Sequence, residues 1–368
     1  MRLFTFAAAM TNPKINFTPG PSQLYFTVAD HMRTAFREGI PSLSHRSKQF
    51  ENIYKDTVDG LRELLGLPDH FHVFFTGSAT EIWERTIQNL VLQNSVHLVN
   101  GSFSKRFYEV ALQLNKKALL LEAPAGSGFE FDVQIPGDTE LIALTHNETS
   151  TGVALPLNFI SAIREQNPSA LMVIDAVSSL PHPDFDYADA DAVFFSVQKG
   201  FGLPAGLGVW LVNDRCIEKA ETLLSKGNSI GSYHNIPSLL QHERKFQTPE
   251  TPNVLAIYLL SKVVADMIRR GIGKIRKETE YKAAILYQAL EKHAAIGPFV
   301  SDAPWRSQTV IVADTGNLTG TITETLLRHG MQPGDGYGGH KKTQLRFANF
   351  PTHAKEHFEL LVDLLDKL

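Results

Sequence analysis

Between Val73 and Asn213 short, continuously apolar runs alternate with helix-like stretches, and few folds accept that pattern. VFF (Val73 to Phe75), VHLV (Val96 to Val99), ELIAL (Glu140 to Leu144), LMVID (Leu171 to Asp175), AVFFS (Ala192 to Ser196) and GVWLV (Gly208 to Val212) read as strands. Segments around Glu81 to Leu92, Lys105 to Leu114 and Asn158 to Gln166 read as the helices between them. Strands with no polar face must be covered on both sides. The series therefore predicts an α/β fold with a mostly parallel, seven-stranded-type sheet between helix layers.

Beyond Pro252 the pattern changes. Long amphipathic helices are expected at Val254 to Arg270 and Glu278 to Ala294, and a last one after Pro351 with Thr352 as its N-cap. Strand-like TVIVAD (Thr309 to Asp314) and TQLRFAN (Thr343 to Asn349) lie between them, which makes a smaller α+β domain. The expected division is a leader at 1–15, a large domain at 16–253 and a small C-terminal domain at 254–368. Polar Thr11 to Lys14 follow the apolar start MRLFTFAAAM too soon for a signal sequence.

The 368 residues are enough for a large core, and a formal net charge of −4 gives no global positive field for nucleic acid or an anionic membrane. The one cysteine, Cys216, leaves no pair for a disulfide or a CxxC zinc site, which fits a reducing compartment and places the chain in the cytoplasm. No run approaches the roughly 20 apolar residues of a membrane span. The 14 histidines are dispersed, and pairs such as His70/His72 or His242/Glu243 lack a full ligand set, so no metal is expected.

In open α/β sheets ligands sit beyond the carboxyl ends of the strands, so the residue after each strand samples the site. Thr76-Gly77-Ser78-Ala79-Thr80 precedes a helix and suits a phosphate at its N-terminus, or else is a capped turn. Asp175 could pair with a protonated ring nitrogen, or simply cap a helix. Lys199, in VQKGFGLPAG, ends a buried strand 24 residues later, where a desolvated amine can condense with an aldehyde. Thr149, in THNETSTG, could bond a ring hydroxyl, and Phe103, in NGSF, could stack on a ring or belong to the core.

Together TGSATE, NGSF, HNETSTG, VIDAVSS and SVQKGFGLPAGLG resemble the class V aminotransferases of the fold-type I, pyridoxal 5′-phosphate (PLP) enzymes over most of the large domain. The resemblance implies Lys199 as the cofactor-bearing lysine and Asp175 at the pyridine nitrogen. It also implies Phe103 stacking, Thr149 near the ring hydroxyl, and Ala79, Thr80 and Gln198 at the phosphate. INFTPGPSQL and SHRSKQF are similar to both the phosphoserine and the alanine-glyoxylate/serine-pyruvate branches. FQTPETPN and GHKKTQLRFANF resemble the phosphoserine branch, whose amino and 2-oxo acid substrates are small molecules.

That branch implies a homodimer with shared sites, in which Gln247 and Thr248 reach the neighbouring cofactor's phosphate; Gln247 stands where the family carries Asn. It implies Arg346 on the substrate α-carboxylate, and His45, Arg46, His340 and Lys341 on the second anion. The tail departs from the family, where His340-Lys341 is a His-Arg pair. Two readings compete from other classes. A cysteine desulfurase would need a reactive Cys on a mobile loop, whereas Cys216 follows a strand in NDRCIEK; a catalytically idle PLP-binding regulator is opposed by intact Lys199 and Asp175.

Overall fold

The computed structural model describes residues 15–368. β1 (Ile15–Phe17) leads to α1 (Val28–Arg37) and α2 (Lys48–Leu65), then β2 (Phe71–Thr76), α3 (Ala79–Leu90), β3 (Asn94–Val99), α4 (Ser102–Gln113), β4 (Lys117–Glu122) and β5 (Leu141–Thr145). A small hairpin of β6 (Asn147–Glu148) and β7 (Val153–Ala154) precedes α5 (Leu157–Gln166), β8 (Leu171–Asp175), β9 (Ala192–Ser196) and β10 (Gly208–Asn213). After α6 (Asp214–Ser225), α7 (Ile236–Glu243), α8 (Val254–Arg270) and α9 (Ile272–Lys292) come β11 (Gly297–Pro298), β12 (Val310–Asp314), α10 (Thr319–Arg328), β13 (Met331–Asp335), β14 (Gln344–Ala348) and α11 (Lys355–Leu365).

The large sheet has seven strands in the order β2-β10-β9-β8-β5-β3-β4, and β10 is its antiparallel member. Every residue of β5, β8, β9 and β10 is buried, as unbroken apolar strands demand. Side chains alternate between two cores. Phe75, Phe195 and Val209 face the one that includes α2 and α8, whereas Phe74, Phe194 and Trp210 face the one built with α3, α4 and α6. β4 escaped the sequence reading because it is an edge strand whose residues are exposed or half-buried. The helices after Phe17 also escaped it; α2 is bounded by Ser47, whose side chain accepts from the Phe50 amide, and by Gly66 at φ 67°.

The second sheet runs β1-β13-β14-β12-β11, with β1 parallel to β13. The boundary at residue 16 is therefore corrected: residues 15–17 join the sheet of the C-terminal half. The expected leader lies outside the described residues, apart from Ile15. Leu286, Phe347, Phe358 and Leu361 form the core under α9 and α11. Two helix starts also shift. α9 begins at Ile272, directly after Gly271, and α11 begins at Lys355 with Ala354 at its N-cap. Thr352 is buried three residues upstream, its hydroxyl 3.2 Å from His353 Nδ1, so it does not cap the helix.

Candidate active site

Four of the aligned strand ends, those of β2, β5, β8 and β9, open on one cavity of about 240 Å³. Its floor is the strand-end set that the sequence singled out. Ala79 and Thr80 start α3, where the Ala79 amide donates to Ser196 Oγ at 2.9 Å and Ser78 caps the helix through the Glu81 amide. The first turn of α3 thus presents a helix N-terminus to the cavity, a place suited to an anion.

Asp175 is buried at the end of β8. The Val177 amide donates to its Oδ1 at 3.0 Å and the Trp83 indole N–H to its Oδ2 at 2.9 Å. Burial pushes its pKa up to about 6, against the pull of those donors and of Lys199. The carboxylate is still mostly ionised at neutral pH.

Lys199 is also buried, and its Nζ donates to Thr149 Oγ1 at 3.2 Å and lies 5.2 Å from the centre of the Phe103 ring. Burial lowers its pKa to about 8, with Asp175 and Glu148 opposing. A buried amine that sheds its proton near pH 8 is a nucleophile and a usable base. Gly20 explains why no side chain crowds it: a Cβ there would sit 2.8 Å from Lys199 Cε, at φ +146°.

Thr149 is held by its neighbours. Its hydroxyl donates to Ser178 Oγ at 2.8 Å, which also accepts from Asn147 Nδ2 at 2.7 Å and donates to the Asn147 carbonyl. Glu148 points away from the cavity and is completely buried, accepting from the Phe103, Ser104 and Ser150 amides and from both serine hydroxyls. It anchors the start of α4 and so fixes Phe103.

Arg346, on β14, reaches the cavity from the second sheet. Its Nε donates to the Asp335 carbonyl at 2.6 Å and Nη1 to the Thr149 carbonyl at 3.2 Å. The guanidinium lies 5.3 Å from the centre of the Tyr337 ring, which in turn is 5.3 Å from Phe103.

The cavity gathers Ala79, Thr80, Phe103, Thr149, Asp175, Gln198, Lys199 and Arg346, all expected from the sequence. It does not gather His45, Arg46, Gln247, Thr248, His340 or Lys341 within one chain. Arg46 instead donates to Gln247 Oε1 at 2.8 Å and to the Thr248 carbonyl at 2.7 Å, and His340 and Lys341 are exposed. Trp83, Tyr337, Gly20 and Glu148 were not foreseen. The PGP of INFTPGPSQL was a signal for Gly20, but nothing in the sequence singles out the tryptophan.

The sequence profile of the aminotransferase class-V family matches residues 15–330. The chain belongs to the class V aminotransferases. A solved phosphoserine aminotransferase from Cytophaga hutchinsonii is 53% identical, with a TM-score of 0.95 over 97% of this chain and 99% of that one. The phosphoserine aminotransferase of Rhodococcus opacus is 29% identical over 88% of this chain and 87% of its own length. An aspartate aminotransferase of Thermus thermophilus is 22% identical at a TM-score of 0.84, covering 96% of this chain and 98% of its own, a likeness of fold alone.

As a class V aminotransferase the enzyme is a PLP-dependent transaminase, and the cavity fits that group. It offers an amine with a depressed pKa, a buried carboxylate lining the same cavity, a helix N-terminus, and an aromatic face. The Cβ missing at Gly20 leaves room beside the amine.

Proposed function

We propose that this enzyme interconverts O-phosphoserine plus 2-oxoglutarate with 3-phosphohydroxypyruvate plus glutamate, in two half-reactions that share one site, as a step of serine biosynthesis. The likeness that carries the reading is the 53% identity, over nearly the whole of both chains, to an enzyme named for that reaction.

The site residues then take these roles. Lys199 holds the cofactor, and Ala79, Thr80 and Gln198 receive its phosphate at the start of α3. Phe103 covers one face of its ring, Thr149 meets the ring hydroxyl, and Asp175 pairs with the ring nitrogen. PLP supplies, when bound, an electron sink next to the substrate α-carbon. Arg346 grips the α-carboxylate of each substrate in turn, with N–H groups left over from its two backbone bonds. Once its nitrogen is free, Lys199 Nζ would take the proton from the substrate α-carbon and pass it to the cofactor carbon that keeps the nitrogen, a task for which an amine with a pKa near 8 is well poised. Tyr337 and Phe103, their ring centres 5.3 Å apart, border the cavity in which that proton would move.

A second anion needs a second cationic site, and we assign it to His45 and Arg46 with His340 and Lys341. Arg46 is tied to the Gln247–Pro249 segment, away from its own chain's cavity. Exposed Phe26 (74%), Phe36 (62%) and Leu24 (46%) supply an apolar surface for a second copy. In a homodimer Arg46, Gln247 and Thr248 would complete the partner's site. Among the described residues no helix is long and apolar enough to cross a membrane, and we place the enzyme in the cytoplasm on its single, buried cysteine.

Comparing Arg46→Ala with wild type on phosphoserine and alanine tests the assignment. We expect phosphoserine to lose roughly ten- to a hundredfold in kcat/KM, with alanine nearly unchanged. If alanine or serine with glyoxylate or pyruvate outpaces phosphoserine, and Arg46→Ala leaves that order untouched, the serine-pyruvate activity replaces this one.

A further inference from the structure

α3 presents two features to the cavity one helical turn apart: Ala79 and Thr80 at its start, and the indole of Trp83. An α-helix has ~3.6 residues per turn, so positions 79 and 83 share a face. Trp83 is nearly buried and stacks on Phe107, with ring centroids 6.0 Å apart and 19° between planes. Its N–H points at Asp175 Oδ2, 2.9 Å away, while the Val177 amide holds Oδ1. One donor on each oxygen fixes the plane of the carboxylate. A carboxylate oxygen has two lone pairs, so Oδ2 keeps one for the cavity that Asp175 lines.

We infer that Trp83 is a positioning residue for the ring-nitrogen site. Its N–H keeps the Asp175 carboxylate ionised and turned toward the cofactor, and α3 thereby sets the phosphate end and the ring-nitrogen end of the site as one rigid element. The inference rests on the assignment of Asp175 to the ring nitrogen.

The groups facing Asp175 show why an indole matters. Lys199, from the end of β9, favours the ionised form, and Glu148, from the β6 hairpin, disfavours it; Trp83 and Val177 supply hydrogen bonds to it. Lys199 loses its charge near pH 8. The indole N–H is a donor only and does not titrate, so its support is constant wherever the enzyme works. Phenylalanine would keep the stacking on Phe107 and lose that donor.

The test uses the full chain labelled with ¹⁵N-tryptophan, which has three indoles, Trp83, Trp210 and Trp305. In the cofactor-free protein the Trp83 N–H resonance, assigned with Trp83→Phe, should move with pH around a midpoint near 6, and should stop doing so in Asp175→Asn. With PLP added, Trp83→Phe should bind it roughly tenfold or more weakly and shift the pH midpoint of its absorbance. A purely packing role would leave that midpoint in place. An indole resonance that ignores pH in the wild-type chain overturns the inference, even if Trp83→Phe fails to fold. So does a Trp83→Phe protein with wild-type affinity and absorbance profile. If instead Asp175→Asn keeps the wild-type cofactor absorbance profile, the ring-nitrogen assignment fails, and the indole titration still reports the Trp83–Asp175 bond by itself.

Discussion

Arg346→Ala separates substrate recognition from everything else at this site. Burial draws the Arg346 guanidinium down from its usual pKa, opposed by Tyr337, Asp335 and Glu148. Of its five N–H groups, one at Nε and one at Nη1 serve the Asp335 and Thr149 carbonyls. The other three have no acceptor among the described residues, and an N–H on each of Nη1 and Nη2 is what a carboxylate needs for a two-pronged bond. Truncation removes both prongs at ~1.5–3 kcal/mol for a charged hydrogen bond, so kcat/KM should fall at least ten- to a hundredfold. It also leaves the Thr149 carbonyl short of a donor, which costs about 1 kcal/mol of stability. Single-turnover absorbance changes with phosphoserine, glutamate and alanine should all slow together, because each carries the same α-carboxylate, while cofactor content stays at the wild-type level. Arg346→Lys should recover only part of the loss, since an ammonium keeps the charge without the fork. A loss confined to one donor, or a protein that no longer holds PLP, would refute the role given to Arg346.

Three further outcomes follow from the same geometry. The folded-state pKa of Asp175, about 6, lies above the ordinary aspartate value of 3.8, so the folded chain binds an extra proton between those values and loses stability as pH rises through that window. Asn has one acceptor oxygen for the two donors on Asp175, which costs cofactor-free Asp175→Asn a constant amount, but its stability relative to wild type should rise by up to about 3 kcal/mol between pH 4 and pH 7 at ~1.4 per unit; a difference that does not change with pH would sink this. Gly20→Ala, with its Cβ 2.8 Å from Lys199 Cε and φ at +146°, should slow attachment of the cofactor at least ~tenfold and destabilise the fold by about 1–3 kcal/mol, so a wild-type loading rate counts against it. The Lys199 amine of the cofactor-free chain should acylate with a midpoint near pH 8, and a midpoint near 10.5 would show that burial does not lower it.

How far the site could be read from sequence depends on which element supplies each residue. In a parallel sheet one end of every strand faces the ligand, so Asp175, Lys199 and Thr149 could be located by reading one strand at a time. Trp83 could not, because on a helix the cavity-facing position depends on how α3 is rotated against the sheet. Arg46 and Gln247 are 201 residues apart, and no local pattern announces that they meet. β1 is three residues long and finds its partner at Met331 to Pro333, a pairing that only the folded chain creates. His340 and Lys341 came from resemblance, and their place in a short exposed turn beyond the cavity is a fact of the tertiary fold.

The segment Asn147 to Ser150 shows why a motif can be specific even when half its residues never meet a ligand. The sequence points to Thr149 alone as a cofactor contact, and the polar side chains around it divide between two faces. Thr149 turns to Lys199, whereas Glu148 turns inward and accepts from the Phe103, Ser104 and Ser150 amides. A buried carboxylate is tolerable only when such donors replace water, so Glu148 requires the start of α4 to lie against it. The same contact dictates Gly101, where a Cβ would fall 2.3 Å from Glu148 Cγ. NGSF and HNETSTG are thus two halves of one structure: the glycine admits the carboxylate, the carboxylate fixes the helix start, and the helix start sets Phe103 over the amine of Lys199.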